Sequence, residues 1–288
     1  MPSSWLQLSV RADPSAFDGI SNFLIERGSP GVVIRKRELQ AYFVNSAENG
    51  SLNMDVRRFL QGISGIYPEG GIPRIRWRVI KDRNWNSSWH RFFTPQKIGK
   101  SFWVTTPWIA PPLLRRRHVI TIEPGMAFGT GTHATTRGCL EFIEKVAPSF
   151  HERGVRVLDV GTGSGILAIA LAKSGAKRVL AVDVDPLALK VARANLRYNG
   201  VQKKVHLSGA KLSRIKTRFP VVVANLTAET IIDQAMALEK RVAPRGFLIL
   251  SGILYQKTKQ VVKQFVGGFK VIRRKREKEW VTLLLRRR

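Results

Sequence analysis

Residues 157–165 read VLDVGTGSG and residues 179–186 read VLAVDVDP. Each stretch begins with an apolar run of strand character, and a helical apolar segment begins between them at Ile166. Glycines at 161, 163 and 165 permit a tight turn and let the backbone approach a ligand closely. Asp183 ends the second run, 22 residues after Gly161, where a carboxylate can accept both ribose hydroxyls of an adenosine. The pattern predicts a nucleotide-type cofactor site.

The spacing of the glycines (Gly161, Gly163 and Gly165) favours S-adenosyl-L-methionine over a dinucleotide. The loop reads D-x-G-x-G-x-G, whereas dinucleotide sites read G-x-G-x-x-G and place a pyrophosphate at the helix start. S-adenosyl-L-methionine has no pyrophosphate, and its methionyl end carries an ammonium group. Asp159 stands at a strand end, where its carboxylate can face that ammonium directly or through water. The glycine loop alone is also compatible with NAD or FAD.

The C-terminal part of the chain alternates strand-like and helix-like segments from about residue 119. Such alternation predicts a mostly parallel sheet covered by helices. The last two segments, FKVIRRKR and WVTLLLR, read as a closing hairpin, which is typical of class I methyltransferases rather than dehydrogenases. We therefore expect an α/β fold over residues 119–288, a class I (Rossmann-like) methyltransferase domain with a seven-stranded, mostly parallel sheet.

The N-terminal part has a different order of elements. Residues 1–80 read β-α-β-β-α-β, which predicts an α+β ferredoxin-like domain. Residues 81–118 are interpreted as a linker that is rich in aromatic side chains. We expect these to form an apolar seam between the domains, with a partner-binding surface as the alternative; they are Trp85, Trp89, Phe92, Phe93, Phe102, Trp103 and Trp108.

The charge of the chain is strongly positive. It has 49 basic and 20 acidic residues, a net +29, of which +10 falls in residues 1–120 and +19 in residues 121–288. Such a field attracts polyanions, so RNA or a ribonucleoprotein is one expected partner. A generally basic, solvated surface is the alternative. For the basic C-terminal segments RRKREKEW and LLLRRR we favour an exposed sheet edge that charge keeps soluble.

Cysteine content and hydropathy limit the kinds of site and the cellular compartment that we expect for this chain. Cys139 is the one cysteine, which excludes an internal disulfide and a cysteine-only metal site. No window has the ~18 apolar residues of a membrane span, and the start MPSSWLQLSVRADPS lacks the layout of a signal peptide. We expect a cytoplasmic protein with no membrane contact and no metal.

Residues 123–136 read EPGMAFGTGTHATT and stand just before a predicted helix. Such a glycine- and threonine-rich loop can fold over a cofactor and offer backbone N–H and hydroxyl donors. His133 is a lone histidine, for which we favour a capping or structural role over catalysis.

These stretches together resemble one family. EPGMAFGTGTHATT, the segment VLDVGTGSGILAIALAKSGAKRVLAVDVDP, VVVANL and LILSGIL are similar to the PrmA family of bacterial ribosomal-protein methyltransferases, which methylate large-subunit ribosomal protein eleven. The likeness runs from about residue 82 to 260. It implies a substrate-recognition domain, a linker and a methyltransferase domain in a monomer. It also implies cofactor contacts from Thr136, Gly161, Asp183 and Asn225.

The sequence departs mildly from that family pattern. Glu123 stands where the family usually has Asp, Ala134 where it has Pro, and Asn225-Leu226-Thr227-Ala228 replaces N-I-L-A. The implied substrate is itself basic, so net charge would not steer this enzyme to it. A local acidic patch, or RNA on the ribosome, would have to do so.

The implied chemistry is methyl transfer to an amine nitrogen, for which we expect Asn225 to position the amine. An RNA methyltransferase is the main alternative, although adenine-modifying enzymes commonly carry N-P-P-Y at the position of Asn225–Ala228. A lysine methyltransferase of another protein and a ribosome-binding module without activity are further alternatives.

Overall fold

The computed structural model describes residues 4–35, 38–45, 49–66, 71, 73–81, 94–109, 118–123, 133–151 and 154–288. The described chain divides into two compact units. The smaller unit consists of residues up to Thr94, and the larger unit of residues from Pro95 onward.

The smaller unit is a four-stranded antiparallel sheet with two helices. Its elements are β1 (Ser4–Arg11), α1 (Phe17–Glu26), β2 (Val32–Arg35), β3 (Glu38–Val44), α2 (Asn49–Ile66) and β4 (Arg74–Lys81). The strand order is β2-β3-β1-β4, with every neighbouring pair antiparallel. Alternate residues of β1, such as Leu8 and Val10, are fully buried against Ile20 and Leu24 of α1, as expected for a sheet with one covered face. The predicted ferredoxin-like order is confirmed.

The larger unit contains ten strands and six α-helices among its described residues. The strands are β5 (Gln96–Ile98), β6 (Phe102–Thr105), β7 (His118–Thr121), β8 (Arg156–Val160), β9 (Arg178–Val182), β10 (Val205–Ser208), β11 (Phe219–Asn225), β12 (Val242–Leu254), β13 (Phe269–Glu277) and β14 (Trp280–Arg287). The helices are α3 (Ala134–Val146), α4 (Ile166–Lys173), α5 (Pro186–Tyr198), α6 (Ala228–Asp233), α7 (Ala235–Arg241) and α8 (Thr258–Lys263).

The main sheet of the larger unit has seven strands in the order β10-β9-β8-β11-β12-β14-β13. The first five strands pair in parallel, and β14 is antiparallel to both β12 and β13. The predicted class I methyltransferase fold, with its seven-stranded, mostly parallel sheet and closing hairpin, is confirmed.

Hydrophobic residues pack on both faces of this sheet. Val221–Ala224 of β11 are completely buried, and so are both faces of neighbouring β8. Residues of β11 alternate between two apolar clusters, one that includes α3 and α4 and one that includes α6, α7 and α8. A continuous apolar run such as VVVA is therefore expected in a central parallel strand.

Part of the predicted linker forms regular structure. Strands β5, β6 and β7 form a small sheet of their own, and Ile98, Phe102 and Val104 are buried in the core of the larger unit. Phe102, which the sequence assigned to an interdomain seam, lies in that core. Trp85, Trp89, Phe92 and Phe93 lie outside the described residues.

The structure bears on three expectations: membrane contact, metal binding and the state of the cysteine. None of the described helices is long and apolar enough to cross a membrane. Among the described residues, no three His, Cys, Asp or Glu side chains gather as metal ligands would. The Cys139 thiol is buried and free.

Candidate cofactor site

The glycine loop lies between the end of β8 and the start of α4. Its three glycines have φ angles of 70°, 53° and 84° at residues 161, 163 and 165, a region that favours glycine. A Cβ on Gly161 would lie 2.4 Å from Cδ2 of Leu226, and one on Gly165 would lie 3.2 Å from Cβ of Ala192. The loop is therefore compact because it has no side chains at these points, as the sequence predicted.

Asp183 is bonded directly to this loop. Its Oδ2 accepts the N–H of Gly163 at 2.9 Å, and its Oδ1 accepts the N–H of Asp185 at 3.0 Å. The N–H groups of Gly161 and Thr162 donate to the carbonyl oxygen of Val182, at 2.9 and 3.0 Å. Each carboxylate oxygen has a second acceptor site, so this half-buried carboxylate is oriented and can still accept hydroxyl groups.

Asp159 is completely buried near the end of β8. Its Oδ2 accepts a hydrogen bond from the Thr162 hydroxyl at 2.7 Å, and its Oδ1 has no hydrogen-bond partner among the described residues. Burial raises the pKa of Asp159 to about 7, the nearby Asp183 charge acts in the same direction, and hydrogen bonds from the Thr162 hydroxyl and the Ala168 backbone oppose the rise. An ionised carboxylate here needs a cation, because burying a charge without one is costly.

Asn225 is the last residue of β11. Its Oδ1 is buried and has no partner in the described part of the chain. Asn225 pairs in register with Ser251 of β12, and the N–H of Leu226 donates to the Ser251 carbonyl at 3.1 Å. Because β9, β8 and β11 are neighbours in the sheet, Asp183, Asp159 and Asn225 all lie at its carboxyl edge, where open α/β sheets bind ligands.

Thr136 lies in the first turn of α3. It is completely buried, and its Oγ1 has no partner among the residues described. His133 caps this helix by accepting the N–H of Thr135 on Nδ1, which confirms the predicted capping role. The preceding residues 124–132 of the upstream loop lie outside the described residues.

A polar cluster, which the sequence interpretation missed, fixes the start of α3. The Ser251 hydroxyl donates to the carbonyl oxygen of Thr135 at 3.0 Å and lies 2.8 Å from Oγ1 of Thr282. A Cβ on Gly138 would lie 2.1 Å from that same Thr282 oxygen. The cluster joins α3 to β12 and β14, so Thr136 and Asn225 belong to one packed region.

Asn195 of α5 is a second residue that sequence analysis missed. It is completely buried. Its Nδ2 donates to the carbonyl oxygen of Ser164 in the glycine loop at 2.8 Å, and its Oδ1 accepts the N–H of Glu123 at 2.9 Å. One turn later, Asn199 accepts the N–H of Thr121 at 2.9 Å. A signal was present at Asn195, because an asparagine in a helix interior is unfavourable without such partners.

The comparisons with known proteins agree with this arrangement. A family profile described as ribosomal protein L11 methyltransferase (PrmA) matches residues 4–288. The chain belongs to the PrmA family. The expectation drawn from the sequence motifs is thereby confirmed, and the match extends over the N-terminal unit as well.

Two relatives of this PrmA-family chain match it over 99% of its length. A ribosomal protein L11 methyltransferase of Geobacter metallireducens is 36% identical over 301 residues, 99% of this chain and 98% of that one. One of Geobacter sulfurreducens is 36% identical over 303 residues and 99% of each chain. A crystal structure of a ribosomal protein L11 methylase from Lactobacillus delbrueckii subsp. bulgaricus matches with a TM-score of 0.62 and 30% identity, over 68% of this chain and all of that one.

Proposed function

We propose that this chain transfers the methyl group of S-adenosyl-L-methionine to amine nitrogens of ribosomal protein L11. The observation that carries the proposal is the family match over residues 4–288, together with a glycine loop that is hydrogen-bonded to an acid on the next strand. Relatives of the same length are named for this reaction.

The residues at the sheet edge fit S-adenosyl-L-methionine. Three buried oxygens have no partner among the described residues: Oδ1 of Asp159, Oγ1 of Thr136 and Oδ1 of Asn225. Buried polar atoms are usually hydrogen-bonded, so three such atoms without a partner favour a bound polar molecule. The loop backbone stays without a side chain at Gly161, because a Cβ there would lie 2.4 Å from Cδ2 of Leu226.

Each residue has a proposed role. Asp183 accepts the ribose hydroxyls, because the loop already holds its carboxylate in one orientation. Asp159 faces the methionyl ammonium, whose charge favours the ionised carboxylate. Oγ1 of Thr136 supplies a further polar contact, and Gly161 and Gly163 let the backbone of the loop approach the cofactor closely.

The bound cofactor supplies an electrophilic methyl group on a positively charged sulfur, and the protein supplies orientation. Oδ1 of Asn225 accepts an N–H of the incoming amine and so directs the nitrogen lone pair at the reaction centre. A lysine amine must first lose a proton to solvent. Its ordinary pKa of about 10.4 falls in a site from which water is excluded. Alignment of this kind supplies up to about 7–11 kcal/mol of a barrier.

The domain roles are part of the proposal. The ferredoxin-like unit, predicted as residues 1–80, recognises the protein substrate, and the segment 81–118 connects it to the methyltransferase domain, predicted as 119–288. The enzyme acts as a monomer in the cytoplasm, where ribosomal proteins are made, on free protein or on the ribosome. RNA contact through its net charge of +29 belongs to the same proposal.

The test is transfer of labelled methyl from S-adenosyl-L-methionine to purified ribosomal protein L11, to ribosomal RNA and to intact large subunits. We expect label in the protein, on lysine amines, and much less label after Asp183→Ala when the cofactor concentration is below saturation. Label in RNA alone would overturn the proposal and favour an RNA methyltransferase. Label in a different protein would support the proposed chemistry and identify another protein as the substrate.

A further inference from the structure

The edge strand β13 carries a cationic cluster that the proposed methyl transfer does not use. Residues 255–288 hold 12 basic and 2 acidic side chains, a net +10 in 34 residues. Strand β13 is the last strand of the sheet and pairs only with β14 among the described strands. Solubility at a sheet edge accounts for charge there, but it requires no fixed arrangement of the charges.

Two of these cations do have a fixed arrangement. The guanidinium carbons of Arg276 and Arg274 lie 3.9 and 5.2 Å from the ring centroid of Tyr255. Nε of Arg276 also donates to the carbonyl oxygen of Lys278 at 2.9 Å. Tyr255 in turn donates its N–H to the carbonyl oxygen of Glu279 at 2.7 Å. The ring and the hairpin turn therefore hold the cluster in place before any partner arrives.

Neither guanidinium group has an acidic partner in the part of the chain that the structure describes. No carboxylate of the described residues lies within salt-bridge distance of Arg274 or Arg276, whereas Glu277 is paired with Arg137 and Lys275. Both arginines are exposed. Two like charges at one ring repel each other, and an anion that bridges them would relieve that repulsion.

We propose that Arg274, Arg276 and Tyr255 form a binding site for the sugar–phosphate backbone of single-stranded RNA. Arginine forks match phosphate oxygens in a bidentate way. Alternate residues on one face of a strand are about 6.6 Å apart, a repeat that suits successive phosphates of an extended strand. Tyr255 is 43% exposed, and an exposed aromatic side chain can stack on a base. The inference assigns the RNA contact of the proposed function to one site, and it does not depend on the methyl transfer.

The experiment measures binding of the full chain to a fluorescent single-stranded RNA of about 12 nucleotides by anisotropy, between about 50 and 200 mM salt. The test variant is Arg274→Gln/Arg276→Gln. The matched control is Lys203→Gln/Lys204→Gln, which removes the same charge from two exposed positions next to β10. Any effect of net charge alone is equal in the two variants.

We expect the test variant to lose about tenfold in affinity and about 1.4 in the slope of log affinity against log salt. The control should stay within about twofold of the parent protein at the lower salt. Tyr255→Leu should lower affinity about fivefold with an unchanged salt slope, because it removes stacking and no charge. Methyl transfer to ribosomal protein should be unchanged in all of them, which reports that they fold and separates this inference from the proposed function.

Three results would overturn the inference. One is an absence of RNA binding by the parent chain. Another is an equal loss of RNA affinity in the test and control variants, which would mean that RNA responds only to the overall positive charge. The third is equal binding of a poly-glutamate chain of the same charge that competes for the same arginines, which would identify an acidic protein as the partner.

Discussion

The N–H of Gly163 donates to Oδ2 of Asp183 at 2.9 Å, so the glycine loop after β8 and the acid after β9 form one unit. The two residues are 20 positions apart, so local sequence does not bring them together. The contact exists because β8 and β9 are parallel and adjacent in the sheet. The proposed ribose acceptor is therefore oriented before the cofactor binds.

Replacing Asp183 by alanine should weaken S-adenosyl-L-methionine binding by about 10- to 100-fold, because hydrogen bonds to a charged group contribute about 1.5–3 kcal/mol. Isothermal titration calorimetry measures this directly. Asp185→Ala is the control, since Asp185 caps α5 two residues later and its loss should cost about 1 kcal/mol of stability with affinity retained. Equal affinities in parent and Asp183→Ala would contradict the role.

Cofactor affinity should rise with pH through the pKa of Asp159, which burial raises to about 7. Only about a tenth of the carboxyl is ionised one unit below its pKa, and the ionised form binds the ammonium. Affinity should therefore increase up to about tenfold between pH ~6 and pH ~8. Asp159→Asn should bind weakly and with little dependence on pH in this range.

The raised pKa of Asp159 also predicts how the free energy of unfolding of the cofactor-free protein depends on pH. The pKa of Asp159 is higher in the folded state than its ordinary value of 3.8, so the folded state binds this proton more tightly. The stabilisation is complete below pH ~4 and is lost as pH rises to ~7. Urea unfolding should show that Asp159→Asn removes this decline. A decline of the same size in the variant would assign it to other groups.

Gly161→Ala should destabilise the protein more than Gly200→Ala. Both glycines have a similar φ, 70° and 66°, which costs an alanine about 1–2 kcal/mol. A Cβ at Gly161 would also meet Leu226 at 2.4 Å, whereas nothing lies within 4 Å of one at Gly200. Thermal unfolding compares the two variants. We expect cofactor binding to be lost only in Gly161→Ala, and equal behaviour would argue against a close approach at this loop.

Asn195→Ala should lower both stability and cofactor affinity. It leaves the Ser164 carbonyl and the Glu123 N–H without their partner, at a cost of about 1–3 kcal/mol for the buried Ser164 carbonyl. The control is Arg193→Ala, which changes an exposed side chain of the same helix. If Asn195→Ala retained full affinity after its stability loss, the residue would support the fold without positioning the loop.

Asn225→Ala should lower kcat more than it changes cofactor affinity. Its free Oδ1 is proposed to orient the amine, and loss of alignment costs on the order of 100-fold in rate. Single-turnover methyl transfer separates this effect from binding. Thr227→Ala, which removes the cap of α6 two residues away, should reduce stability by about 1 kcal/mol and leave the rate of transfer intact.

Local patterns account for much of what was predicted correctly. Apolar runs bounded by glycine and acid, as in VLDVGTGSG, placed β8, the loop and α4, since strand and helix periods are properties of the chain itself. The same reasoning placed the ferredoxin-like order and the closing hairpin. The candidate residues Gly161, Gly163 and Asp183 were found in this way because they lie in the turns that follow two predicted strands.

Contacts between distant segments required the tertiary structure. The partners of Asn195 lie 31 and 72 residues away, and Ser251 reaches Thr135 over 116 residues. The identity of a polar residue inside a helix or strand does not predict its hydrogen-bond partner, because the partner depends on the order of the strands in the sheet. The sequence by itself determined the elements, the glycine loop and the charge of β13. Only the tertiary structure decided which buried oxygens have no partner among the described residues. It also decided that two arginines contact the ring of Tyr255. Both features depend on which strands become neighbours in the sheet.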